Sequence, residues 1–214
     1  GLCICSVEQG SIEQRPYQRS ALPDAQKAQG KALMCCAVPK GDLVIDVEGF
    51  TGAEHQQAEV HTATVAQLER LADDVMRVLL QLPEGKALDF SAGQYIDILL
   101  EDGQRRAFSF ANRPGESRQI ELHVRLVPGG RFTTHVFQGM KVGDTLRFEG
   151  PRGSFTLRES QHPILFVAGA TGFAPIKSIV EDAFARGVQR PMRLYWGTRK
   201  PQDLYMLERC EQWQ

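Results

Sequence analysis

Ile164-Leu-Phe-Val167 is an unbroken apolar run that opens directly into Ala168-Gly-Ala-Thr-Gly172. Four apolar residues in a row, bounded by Pro163 and a glycine pair, suit a strand buried on both faces, as in a parallel sheet. Beyond the glycines, Ile176, Ile179, Val180, Ala183 and Phe184 share one helix face. Pro175 fits the first helical turn and Gly187 the position just past the end. Met192-Arg-Leu-Tyr-Trp196 reads as a second strand, and the chain from Asp203 as a second helix. Strand, tight turn, helix, strand, helix is the opening of a parallel α/β domain, expected over residues 162–214.

Upstream the pattern differs. Ile120-Glu-Leu-His-Val-Arg-Leu126 alternates strictly, placing Ile120, Leu122, Val124 and Leu126 on one face and His123 on the outward one. Gln94-Tyr-Ile-Asp-Ile-Leu-Leu100 followed by Asp102-Gly103 is a hairpin signal. Turn residues recur at Pro83-Glu-Gly85, Pro128-Gly-Gly130 and Pro151-Arg-Gly153. Leu68–Leu82 is compatible with helix or strand, and no helical period of useful length interrupts the region. Short strands at this spacing predict an antiparallel six-stranded β-barrel over 59–158. The polar stretch 51–58 reads as a linker.

Hydrophobic residues make up 42% of the 214 and charged residues 24%, ordinary globular usage. A formal net charge of −1 gives no electrostatic footprint for nucleic acid. The longest apolar stretch, Ile164–Ala170, is far short of the roughly 20 residues of a membrane span. A soluble, cytoplasmic chain without nucleic-acid or membrane partners is expected. The chain opens at Gly1 without methionine and stops at Gln214 inside the expected second helix. A fragment at both ends is therefore expected, one that binds flavin but is reduced slowly by NADH.

The Gly169/Gly172 turn aims free backbone N–H groups and a helix N-terminus at one point, which suits a pyrophosphate. Taken alone, the turn serves equally as a tight β–α connection. No acidic residue closes the second strand to meet a ribose, as the ordinary dinucleotide fingerprint requires; Gly197-Thr-Arg199 stands there instead. Val167-Ala-Gly-Ala-Thr-Gly-Phe-Ala-Pro175 resembles the nicotinamide-phosphate loop of the ferredoxin–NADP reductase superfamily, and Trp196-Gly-Thr-Arg199 its aromatic-Gly-x-Arg segment. Phe90-Ser-Ala-Gly-Gln-Tyr95 is similar to the family's Phe-x-x-Gly-Gln-Tyr strand start. Arg106-Ala-Phe-Ser109 is similar to its Arg-x-Tyr-Ser flavin motif, and Gly130-Arg-Phe-Thr133 to its Gly-x-x-Ser/Thr phosphate motif. Gly150-Pro-Arg-Gly-Ser-Phe155 resembles its barrel-closing turn. Ala170 stands where the family usually has glycine, and Phe108 where it has tyrosine.

The resemblance implies FAD and NAD(P)H as cofactors. Arg106 would pair with a flavin phosphate, aided by Gly130 and by the hydroxyl and amide of Thr133. Phe108 would pack on the flavin ring, and the Ser109 hydroxyl would act beside the atom that receives hydride, as the catalytic residue. Ala107, His123 and Val124 complete the flavin-binding set. Gly169, Thr171, Gly172, Pro175, Trp196, Gly197 and Arg199 form the nicotinamide-nucleotide set.

Four of the five cysteines lie in residues 1–50. Leu33-Met-Cys-Cys-Ala-Val-Pro39 resembles the last-cysteine region of a plant-type ferredoxin, so this segment is expected to be the C-terminal part of a β-grasp ferredoxin-like domain carrying a 2Fe–2S cluster. On that comparison Cys3, Cys5 and Cys35 are the ligands, although Cys5 falls one residue before the family position. Cys210 reads as structural. None of the five histidines has metal-ligand spacing.

The expected whole is a multidomain α+β and α/β reductase. It would accept hydride from NAD(P)H onto FAD and pass single electrons through the cluster to an oxygenase or dehydratase partner. The alternatives are an NAD(P)H:flavin reductase that needs no cluster, or a flavin-binding fragment without full activity.

Overall fold

The computed structural model describes residues 4–47, 59–115 and 118–214. The expected linker 51–58 and Cys3 lie outside them. The chain divides into two compact units, Gly1–Gln56 and Gln57–Gln214.

The first unit is built from short elements: β1 (Ile4–Gln9), β2 (Ile12–Gln14), α1 (Asp24–Ala28), β3 (Lys31–Leu33), β4 (Ala37–Pro39) and β5 (Val44–Asp46). β1 lies between β3 and β5, antiparallel to both, and β2 pairs with β4. Cys5, Leu22, Ala32 and Leu33 are its buried hydrophobic residues, a small core for so many turns. The arrangement does not by itself establish the expected ferredoxin segment.

The second unit opens with β6 (Val60–Ala72) and β7 (Val75–Gln81). The ambiguous stretch Leu68–Leu82 is thus strand on both sides of an Asp73-Asp74 turn. β8 (Tyr95–Leu99), β9 (Arg105–Ser109) and β10 (Gln119–Arg125) follow, then α2 (Arg131–Gln138) and β11 (Thr145–Arg152). The six strands are ordered β10-β7-β6-β11-β8-β9 and pair antiparallel. The sheet does not close as the expected barrel: β9 and β10 meet at one isolated bridge, Phe110–Leu122, rather than along a ladder. Its interior is filled by residues that alternate inward, among them Val65, Val78, Leu80, Ile96, Ile98, Ile120, Leu122 and Phe148, each contributing about 1.5–3 kcal/mol when fully buried. Helix α2 corrects the expectation of an uninterrupted β region. It buries Phe132, Thr133 and Val136 against the sheet.

β12 (Ile164–Gly169), α3 (Phe173–Ala185), β13 (Met192–Gly197) and α4 (Leu207–Glu211) complete the chain. β12 and β13 pair in parallel, as the strand–turn–helix pattern predicts. The second helix begins at Leu207 rather than Asp203, because Pro201–Asp203 forms a separate 3-10 turn. The run Ile164–Val167 is not buried on both faces. Ile164 and Phe166 pack on α3, while Leu165 and Val167 are 63% and 72% exposed. Among the described residues α3 covers one side of this two-stranded sheet and nothing covers the other. No helix among them is long and apolar enough to cross a membrane.

One glycine ties the two halves of this unit together. Gly93 has φ +95°, and a Cβ there would lie 1.9 Å from the Phe155 carbonyl oxygen and 2.8 Å from Ile179 Cδ1 of α3. Both the conformation and the close approach require glycine.

Candidate functional site

Two groups of expected site residues lie in the second unit. On β9, Arg106 is exposed. Its guanidinium donates to the Arg105 carbonyl and the Gln104 side chain, and no carboxylate partner stands against it among the described residues. The neighbouring cations differ: Arg105 pairs with Glu149 at 2.8 Å, and Arg152 with Glu149 and Asp97. Ala107 is exposed opposite Asp97 on β8, and Ser109 half-buried opposite Tyr95. Phe108 is half-buried, its ring 5.4 Å from that of Phe132.

Gly130 begins α2. A Cβ on it would meet Thr133 Oγ1 at 2.6 Å. The Thr133 hydroxyl accepts from the Val127 amide at 3.1 Å and donates to the Gly130 carbonyl at 3.1 Å. These contacts hold the turn at the start of α2, the segment expected to meet the phosphate. Val124 is 1% exposed, its side chain in the sheet core. His123 does alternate outward from the sheet, yet it is buried, because α3 and the chain around Tyr205 cover that outer face.

The second group surrounds the turn after β12. Gly169 has an extended φ of −120°, and a Cβ on it would meet nothing within 4 Å. Neither conformation nor packing demands glycine there; its absent side chain leaves room above the loop. Ala170 adopts φ +46°, the one left-handed non-glycine among the described residues. Gly172 caps α3, and Pro175 occupies the third helical position, where no intrahelical N–H is lost. Trp196 grips the loop from below: its indole N–H donates to the Ala170 carbonyl at 2.9 Å, and its ring stacks on Phe173 at 3.9 Å. Gly169, Thr171, Gly197 and Arg199 line one cavity of about 330 Å³, together with Tyr205 and Asp203. The Arg125–Asp74 ion pair, 2.7 Å, stands at its other wall. The N-terminus of the 13-residue α3 lies immediately behind this loop, so the loop carries its positive dipole end.

Beside the cavity lies a buried polar cluster to which the sequence reading assigned no role. Lys177 of α3, 6% exposed, donates to the Ala111 carbonyl at 3.0 Å and to Glu181 at 3.1 Å, and stands 3.4 Å from Glu121. Glu121 accepts from His123 Nε2 at 2.9 Å, and His123 Nδ1 is 3.0 Å from the Tyr205 hydroxyl. Burial pushes the Glu121 carboxyl up, but the His123 hydrogen bond and the Lys177 charge outweigh it and bring it down to about 2. Burial lowers His123 against the opposing pull of Glu121. Burial, with the Glu121 charge behind it, raises the Tyr205 phenol. The directions of the hydrogen bonds follow. An ionised carboxylate only accepts, so Nε2–H donates to Glu121, and neutral Nδ1 accepts from the Tyr205 O–H. A lysine within the apolar face of α3 is the one sequence signal that could have exposed this cluster.

In the first unit, Cys5 is buried on β1 and Cys35 is exposed on the 3-10 turn Met34–Cys36. Burial raises the Cys5 thiol. Among the described residues no three His, Cys, Asp or Glu side chains form a group that could hold a metal ion.

Residues 62–157 match the oxidoreductase FAD-binding domain family, and residues 166–214 the oxidoreductase NAD-binding domain family. The chain carries these two oxidoreductase domains in sequence, FAD-binding then NAD-binding. Reductase component 2 of terephthalate 1,2-dioxygenase from a Comamonas species is 40% identical over 214 residues, covering 100% of this chain and 63% of that protein. The CDP-6-deoxy-L-threo-D-glycero-4-hexulose-3-dehydrase reductase of Yersinia pestis is 37% identical over 205 residues, covering 96% and 61%. The crystal structure of the Amycolatopsis cytochrome P450 reductase GcoB matches with a TM-score of 0.73 at 35% identity, over 99% of this chain and 65% of that one. The chain thus spans about three fifths of the length of these relatives.

Proposed function

We propose that this chain is the flavin- and nicotinamide-binding part of a reductase that takes hydride from NAD(P)H and delivers electrons to a partner oxygenase or dehydratase component. The observation that carries this is the cavity at the β12–α3 turn: a glycine kept for space alone, a helix N-terminus behind it and Arg199 at its edge, in the same unit as Arg106, an exposed cation that no carboxylate among the described residues meets. A pyrophosphate fits the loop at Gly169, Thr171 and Gly172.

The flavin would be FAD, which when bound accepts hydride from the nicotinamide and releases electrons one at a time. Arg106 supplies the charge for its phosphate. The amides of the first turn of α2, from Gly130 to Thr133, supply donors, with the Thr133 hydroxyl holding the turn. Phe108 offers an apolar ring, Ala107 a backbone without bulk, and Ser109 a hydroxyl for a flavin-ring nitrogen. His123 and Val124 shape the strand that backs the ring. No proton transfer is assigned to these groups; they bind, orient and exclude water.

The finer reading adds a 2Fe–2S cluster held by Cys3, Cys5 and Cys35 in the C-terminal part of a ferredoxin-like domain over residues 1–50, a linker at 51–58, a flavin domain at 59–158 and a nucleotide domain at 162–214. It draws support from phthalate dioxygenase reductase, a structure of 28% identity and TM-score 0.62 that is modular for electron transfer from pyridine nucleotides to [2Fe-2S]. The described thiols do not complete a ligand set.

FAD affinity of Arg106→Ala tests the flavin half. Loss of a charge-assisted phosphate contact, about 1.5–3 kcal/mol, should weaken FAD roughly 10- to 100-fold. Unchanged FAD affinity would remove Arg106 from the site.

A further inference from the structure

The buried cluster beside the cavity has a direction. Lys177 and Ser178 of α3 hold the carbonyls of Ala111 and Asn112, at 3.0 and 2.7 Å, two and three residues beyond Ser109. From Lys177 the contacts run through Glu121 and His123 to the Tyr205 hydroxyl. Tyr205 lines the cavity and stands edge-on to Trp196, ring centroids 5.0 Å apart at 88°. Trp196 in turn holds the Ala170 carbonyl of the loop. A path of hydrogen bonds and one ion pair thus joins the segment after the flavin motif to the wall of the cavity.

The geometry points to Tyr205 as a positioning residue for nicotinamide-nucleotide binding, its hydroxyl held by His123 so that its ring fixes Trp196 and the Gly169–Gly172 loop. This inference rests on the reading of the cavity as the nucleotide site. The side chain of His123 is fully enclosed, and an enclosed imidazole that donates at one nitrogen and accepts at the other has one orientation. The Tyr205 ring therefore has one orientation too. Edge-to-face contact with Trp196 transmits that orientation to the loop, because aromatic pairs prefer this geometry.

The test measures NAD+ affinity of the whole chain by quenching of tryptophan fluorescence, alongside flavin content and the thermal unfolding midpoint. Tyr205→Phe keeps the ring and removes only the hydroxyl. It should weaken NAD+ roughly three- to tenfold, the worth of one net hydrogen bond, with flavin content unchanged. His123→Gln should weaken it similarly. The double variant should be no worse than the weaker single one, because both act along one path. Gly169→Val, which fills the cavity above the loop, is the control and should abolish binding. If Gly169→Val binds NAD+ normally, the cavity is not the nucleotide site and the inference falls with that reading. If Gly169→Val loses binding while Tyr205→Phe retains parental affinity, the site stands and the positioning role is wrong. Additive losses in the double variant would also overturn it.

Discussion

Replacing Gly93 with alanine strikes the point where the flavin-side sheet meets α3. The residue holds φ +95°, and the new Cβ would lie 1.9 Å from a backbone carbonyl oxygen, Phe155 O. Restoring ordinary contact at 3.4 Å requires the two segments to separate by roughly 1.5 Å (3.4 − 1.9). Ile179 Cδ1, at 2.8 Å, is the end of a flexible side chain and can yield; the Phe155 carbonyl cannot without moving the backbone of its segment. The left-handed conformation costs an L-residue about 1–2 kcal/mol. Overpacking adds about 1–3 kcal/mol, and the loss of glycine's unfolded-state freedom returns about 0.4–1 kcal/mol. The net loss is about 2–4 kcal/mol. The shift would also strain Gln94, whose side chain donates to Gly153 O at 3.0 Å and accepts from Ser91 N at 2.7 Å. Urea unfolding followed by circular dichroism should show a midpoint lowered by about 1–2 M, given a slope of roughly 2 kcal/mol/M. A Gly93→Ala midpoint within experimental error of the parent would refute the reasoning that conformation and close approach together demand glycine.

Ala170→Gly should act in the opposite sense. Relief of the φ +46° strain, about 1–2 kcal/mol, exceeds the added unfolded-state entropy, so thermal unfolding should shift upward by the equivalent of up to about 1 kcal/mol; a downward shift would show that the methyl group packs. Lys177→Met leaves Glu121 and Glu181 enclosed with less neutralising charge, and should cost about 3–5 kcal/mol in denaturant titrations; a neutral outcome would mean that solvent reaches these carboxylates. Acid should destabilise the second unit in two stages. His123 is lowered in the fold, so stability begins to fall below pH 6.5, where the unfolded imidazole takes a proton that the folded one refuses. Glu121 is lowered from 4.5 to about 2, so its contribution is intact above pH 4.5 and is lost between there and pH 2, about 3 kcal/mol in all. Unfolding midpoints flat from pH 6.5 to 4.5 would contradict the His123 assignment, and midpoints flat from pH 4.5 to 2 the Glu121 one.

Much of the scaffold was legible because its signals are local. The Asp102-Gly103 turn between alternating strands is the β8–β9 hairpin, and the apolar run, glycine pair and Pro175 mark β12 and the start of α3. Helix α2 was not legible: Arg131–Gln138 is two turns long and rich in Thr and Val, so its period is too short to stand out and its propensities lean toward strand. His123 was correctly read as pointing out of the sheet, but period-two alternation says nothing of what covers the outer face. Its partner Tyr205 lies 82 residues away in sequence, and the Lys177 and Ser178 contacts with residues 111 and 112 span 66. The Thr133 contacts with Val127 and Gly130 were not legible either, because a motif names the residue type at a turn without saying which backbone groups its hydroxyl meets.

The most direct test of the account is the visible absorption spectrum of the chain after incubation with FAD and removal of the excess, before and after anaerobic addition of NAD(P)H, with bound flavin quantified. The account predicts one FAD retained per chain, bleached when the nicotinamide cofactor is added. A colourless chain that takes up no FAD would contradict it.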